Sequence, residues 1–154
     1  MNDPAASTRN KLILAAGVTL FAIGQSLLFI IIAPIIPSTG LTEIQFGLIF
    51  GLANIPLIFM APLWGRLSDK HGRKPIFLVG LFGSSAGTLL VTLALDFGLS
   101  GSSTVGMLAV YLFAARAFYS ATASAIYPSS QAYMADVTER NDRAQGMALI
   151  GGAN

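Results

Sequence analysis

The sequence predicts an all-α integral membrane protein, and three observations carry that prediction. Only 10% of the 154 residues are charged, where a soluble domain carries about 25%. Hydrophobic residues make up 54% of the chain and mean hydropathy is +0.69, too apolar for helices that must turn a polar face to water. Long uncharged runs, each near the ~20 residues that a bilayer-crossing helix needs, alternate with short charged links. Composition also excludes several chemistries. There is no cysteine, which removes disulfides, zinc–thiolate sites, iron–sulfur clusters and thiol nucleophiles. A net charge of +2 gives no reason to expect a nucleic-acid partner, despite a pI near 9.2.

Residues 1–11 read as a cytosolic tail. The first span is predicted over 12–36 and closes in the stretch APIIPSTG, where Pro34, Pro37 and Gly40 break the helix. A cleaved signal peptide would have a shorter apolar region, about 7–15 residues, with small residues behind it. The second span is predicted over 44–65 and the third over 75–95, with Pro75 suited to a first helical turn. After the GLSGSST loop at 98–104, a fourth span is predicted over 104–134, interrupted only by Arg116. Its length predicts tilt or a cytosolic extension. A fifth apolar run begins at 144 and stops at 154. As helix it would reach about 16 Å, roughly half the hydrocarbon thickness. The expectation is therefore an N-terminal fragment of a longer chain, partnered by the missing C-terminal part and by the lipid bilayer.

Orientation follows from the basic residues. Arg9 and Lys11 lie in the tail, Arg66, Lys70, Arg73 and Lys74 in the 2–3 link, and Arg140 and Arg143 in the 4–5 link. The 1–2 and 3–4 links have none. The positive side is cytosolic, which places the N-terminus inside a cell membrane.

The stretch GRLSDKHGRKP at 65–75 is a charged island in this apolar chain. With the second helix extended a turn, Gly65, Asp69 and Arg73 would share one face at i, i+4 and i+8. Gly65 would admit a close neighbouring helix. Asp69 could cap a helix N-terminus or pair with a cation. Gly72 permits the turn. The competing reading is a solvated loop held by positive-inside charge alone.

The pattern Gly65-x-x-x-Asp69-Lys70-x-Gly72-Arg73-Lys74 resembles the signature of the major facilitator superfamily between its second and third helices. Arg116-x-x-x-Ser120 resembles the family's Arg-x-x-x-Gly motif, common in proton-coupled members, with Ser120 replacing the glycine. ADVTERNDRAQG at 135–146 resembles the link before the fifth helix, with Asp136 and Arg143 in place. The resemblance implies a twelve-helix fold of two six-helix bundles that rock around a central cavity, of which about four and a half helices are present. It implies that Asp69 locks the cytosolic ends of the bundles in the outward-open state, and that Arg73 pairs with an acid at the inner end of the fourth helix, Asp136. Such a network would favour one conformation by about 1–2 kcal/mol, a roughly tenfold population shift.

Arg116 is the single charge deep in a span, so it should face a cavity or a partner. It would hold a carboxylate ionised or meet an anionic substrate; the alternative is a structural arginine bonded to backbone carbonyls. Gln25 stands near the place where some drug/proton antiporters of the family carry an acid. An amide cannot titrate, so Gln25 reads as a substrate contact or as interhelical glue. No carboxylate lies deep in the spans, which puts a proton-carrying acid outside this sequence. Asn54, Pro56 and Pro62 mark bends in the second helix. Gly80, Gly83, Ser84 and Gly87 form a packing stripe on the third. Phe21, Phe29, Phe118 and Tyr119 are candidates for cavity lining or for lipid contact, and His71 reads as surface.

The function implied is secondary active transport of a small molecule by alternating access. Drug efflux by proton antiport is the leading form, with metabolite or sugar uptake by proton symport as the alternative. An inactive truncated fragment is a further reading. No paired carboxylates, His cluster or Ser/His/Asp set suggests an enzyme, and no nucleotide loop suggests a cofactor.

Overall fold

The computed structural model describes residues 4–101 and 103–137, and they form α-helices joined by short links, with no strand among them. The helices are α1 (Pro4–Ile32), α2 (Glu43–Leu52), α3 (Ile55–His71), α4 (Arg73–Leu99), α5 (Val105–Ala123) and α6 (Ile126–Val137), with a 3₁₀ turn at Ile36–Thr39. Among the described residues, four stretches are long and apolar enough to cross a bilayer: Leu12–Ile32, Glu43–His71, Arg73–Leu99 and Val105–Asp136. The second crossing is thus α2 plus α3, and the fourth is α5 plus α6. Large apolar side chains point outward along all four. Leu20, Ile30, Ile44, Phe59 and Phe82 are each at least two-thirds exposed, a surface suited to lipid rather than water.

The helix ends depart from the sequence reading at identifiable residues. α1 starts at Pro4, inside the stretch read as a tail, and stops at Ile32 rather than 36. Pro34 disfavours helical backbone at the residue before it, and the chain passes through a turn into the 3₁₀ segment, which Gly40 ends at φ 79°. Thr42 then caps α2 through a reciprocal box. Its Oγ1 accepts from the Gln45 N–H at 3.2 Å, and Gln45 Oε1 accepts from the Thr42 N–H at 3.0 Å. Such a cap contributes about 1 kcal/mol.

The two interrupted crossings obey one rule. A proline ring clashes with the carbonyl four residues earlier and removes one backbone donor. Pro56 stands four residues after Leu52, where α2 ends; Pro128 stands four residues after Ser124, where α5 has just ended. The fourth span expected over 104–134 corresponds to one stretch, Val105–Asp136, built of two helices. Pro62, by contrast, lies within α3 without breaking it.

α3 and α4 meet at a one-residue link, Gly72, whose φ of 94° is open to glycine and strained for other residues. The shared face expected for Gly65, Asp69 and Arg73 on one helix is corrected here: Arg73 begins α4. α4 packs most extensively on α5. At Gly87 an added Cβ would lie 2.8 Å from the Tyr119 Cα, so the absent side chain sets how near the two backbones come. Two buried clusters fill the interior. One includes Leu28, Ile32, Phe50, Val91, Leu108 and Leu112; the other includes Leu14, Val18, Phe77, Ile126 and Met134. The expected fifth span at 144–154 lies outside the described residues.

Candidate functional site

Two groups of polar residues stand out, each centred on an arginine. The first is at the α3–α4 junction. Because Gly72 turns the chain sharply, Arg73 at the start of α4 folds back over the end of α3. Its Nη1 donates to the Asp69 carboxylate and, at 3.4 Å, to Ser68 Oγ. Its Nε donates to Asp136 Oδ2 at 3.0 Å, from a residue 63 positions away on α6. One guanidinium thus bridges three helices, as its forked donors permit. The arginine side chain is 25% exposed, whereas Asp69 and Asp136 are 66% and 57% exposed. Pairs this open to solvent contribute at most about 1 kcal/mol each. The cluster is weakly held and can be exchanged.

The other island residues do not join it. Lys70 and Lys74 are exposed and in no ion pair among the described residues. Around Gly65 nothing lies within 4 Å of where a Cβ would stand, so the close helix approach expected there is not found among the described residues. His71 is exposed, with its Nδ1 3.3 Å from the Leu67 carbonyl. Arg143 lies outside the described residues.

The second group lies at membrane depth. Arg116, on α5, is 2% exposed, and its Nε and Nη1 have no hydrogen-bond partner among the described residues. The guanidinium carbon instead sits 4.5 Å from the Tyr119 ring centroid, 5.1 Å from Phe29 and 5.3 Å from Phe50. Placing an arginine at the bilayer centre costs about 2.5–3.5 kcal/mol on insertion scales. A desolvated cation–π contact returns about 2 kcal/mol, so the three rings offset that cost without using the hydrogen-bond donors. Among the described residues no backbone carbonyl accepts from these two nitrogens.

Around Arg116 is a cavity of about 120 Å³, lined also by Gln25, Asn54, Tyr119 and Ser120, with Phe21 and Tyr127 among its walls. Tyr119 donates its hydroxyl to Gln25 Oε1 at 3.2 Å, joining α1 to α5. Ser120 donates to Asn54 Oδ1 at 2.8 Å, joining α5 to the break between α2 and α3. Trp64 Nε1 donates to the Ala121 carbonyl at 2.7 Å, one of the carbonyls that the end of α5 leaves without a helical partner. Phe21 stacks on Tyr119 and meets Tyr127 edge-on. Phe118 turns away, 44% exposed beside Leu90 and Phe97.

Sequence reasoning singled out Arg116 and Gln25 but missed what links them. The Ser120–Asn54 bond depends on the helix break at Asn54, for which Pro56 was the signal. Ser120 itself was noted only as a departure from a motif. Among the described residues no group of His, Cys, Asp or Glu is arranged to hold a metal.

Comparison with known proteins gives concordant matches. The family description "Major Facilitator Superfamily" matches residues 14–154. The chain is 32% identical to the class H tetracycline resistance protein of Pasteurella multocida over 108 residues, covering 70% of this chain and 24% of that protein. It is 26% identical to the class C tetracycline resistance protein of Escherichia coli over 148 residues, covering 93% of this chain and 34% of that protein. A multidrug-resistance efflux pump homologue of Lactococcus lactis is 39% identical over 62 residues, covering 35% of this chain and 15% of that protein. The chain thus spans about a third or less of the length of these relatives. No solved structure matches it.

Proposed function

The chain belongs to the Major Facilitator Superfamily, and on that premise we propose that it forms part of a secondary active transporter that exports drug-like small molecules in exchange for protons. The observation that carries this reading is the Arg73 bridge. A single side chain ties α3, α4 and α6 at one end of the bundle through exposed pairs of low energy. A device that must open and close in each transport cycle needs such pairs, because a deeply buried ion pair would hold one state too firmly. In this reading Asp69, Arg73 and Asp136 latch the cytosolic end while the cavity opens outward, and Gly65, Lys70, Gly72, Lys74 and Arg143 complete the latch region. The N-terminus and the island face the cytoplasm of a cell membrane, in keeping with the basic residues on that side.

Arg116 and Gln25 line the route of the substrate or of the coupling step. Gln25 does not titrate and no carboxylate lines its cavity, so in this reading the exchanged proton is carried by an acid elsewhere in the protein. The names of the relatives favour efflux over uptake: two are tetracycline resistance proteins and one is a multidrug efflux pump homologue. The test is transport in vesicles with an imposed pH gradient. Antiport predicts that a tetracycline or a cationic dye moves against the proton flow and that collapsing the gradient stops it. Movement of a sugar or other metabolite with the protons would replace this reading with symport, and gradient-independent transport would remove proton coupling.

A further inference from the structure

Arg116 holds two buried donors, Nε and Nη1, that no group among the described residues accepts. Its three aromatic neighbours satisfy the charge through their faces but take none of those N–H bonds. Buried donors left without acceptors are costly and rare. The cavity beside them has further donor capacity, from the Gln25 amide nitrogen, and no carboxylate among its lining residues. Its two amide oxygens each already accept a bond, Gln25 Oε1 from Tyr119 and Asn54 Oδ1 from Ser120. What the site lacks is an acceptor bearing negative charge.

We infer that this cavity binds a small monovalent anion, with Arg116 Nε and Nη1 as its principal donors. The ligand chemistry is a carboxylate head or a halide. A cavity of about 120 Å³ admits chloride or a carboxylate head such as acetate. The site would receive the anionic end of a transported molecule, or a free anion that neutralises the arginine between substrates. As a statement about transport this rests on the transporter reading; as a statement about binding it does not.

The test uses the purified protein in nanodiscs of neutral lipid. The thermal unfolding midpoint is followed while chloride or acetate replaces gluconate at constant ionic strength, so that general screening is unchanged. Saturable stabilisation by both anions, or by one, supports the site and tells a halide from a carboxylate preference. Arg116→Gln should weaken the apparent affinity at least tenfold. Should that variant fail to fold, Gln25→Glu serves instead: it places a carboxylate in the same cavity, which should keep the fold and abolish the anion response. Arg9→Gln, at an exposed cation far along α1, should respond as the parent does. No saturable effect of either anion, or an undiminished response in Arg116→Gln or Gln25→Glu, overturns the inference. Efflux that persists without anion binding leaves the transporter reading standing and removes this one; anion binding without any transport does the reverse.

Discussion

Arg73 and Arg116 carry the same side chain into opposite surroundings, and the difference teaches what each can do. Arg73 stands at the junction of two helices, partly exposed, with two carboxylates in reach. Its charge is already stabilised by water, so each pair adds little and each can be lost. Arg116 lies at membrane depth, 2% exposed, wrapped by three rings and with two donors unused. Its charge has no water to fall back on, so any anion that reaches it counts for much more. The first arrangement suits a contact that breaks in every cycle. The second suits a fixed charge that waits for a ligand.

That contrast orders the expected effects of mutation. The largest belongs to Arg116→Ala. Losing the charge and the two free donors it offers a ligand or coupling group should lower drug efflux about 100-fold in a vesicle assay, about 2.7 kcal/mol at ~1.36 kcal/mol per tenfold, while the protein still reaches the membrane. Arg116→Lys keeps the charge but loses the planar fork, and a loss of about tenfold is expected in the same assay. Next comes Arg73→Gln, which removes both exposed pairs; about 1 kcal/mol lost from one conformation gives roughly a fivefold reduction in efflux. Raising a gluconate salt, whose anion the Arg116 cavity does not take, from 0.1 to 1 M shortens the screening length from about 10 to about 3 Å. It should shrink the gap between Arg73→Gln and the parent and leave the Arg116 variants where they were. Equal salt sensitivity at both positions would erase the distinction. The smallest effect is that of Asp69→Asn, about threefold or less, because this carboxylate is the more exposed of the two partners. Normal insertion of that variant, checked by surface labelling, separates a slowed cycle from a misfolded one.

How much of this was legible in the sequence depended on whether the signal was local. The helical class, the apolar crossings and the charged island follow from composition and from runs of like residues. Arg73 and Asp136 were named as partners only through the resemblance of the island and of the 135–146 link to the family's motifs, since 63 residues separate them. The helix breaks were written more faintly. Pro56 and Pro128 each act on the carbonyl four residues earlier, and at Pro128 the surrounding apolar run concealed the interruption. The bonds from Ser120 to Asn54 and from Tyr119 to Gln25 were not legible at all. They depend on how α5 rotates against α1 and α2, which close packing at Gly87 helps to set. The three-ring surroundings of Arg116 have the same origin, since Phe29, Phe50 and Tyr119 come from three different helices.

The central claim is that the Arg73 bridge biases which side of the membrane the cavity faces. These 154 residues contain no cysteine, so in a background free of other thiols a single introduced one reports on its own position. Leu57 lines the cavity and is 44% exposed, so Leu57→Cys can be labelled with an impermeant maleimide from either side of oriented vesicles. The account predicts faster labelling from the outer side in the parent background and a shift toward the cytoplasmic side when Arg73→Gln is added. Identical sidedness in the two backgrounds would contradict it.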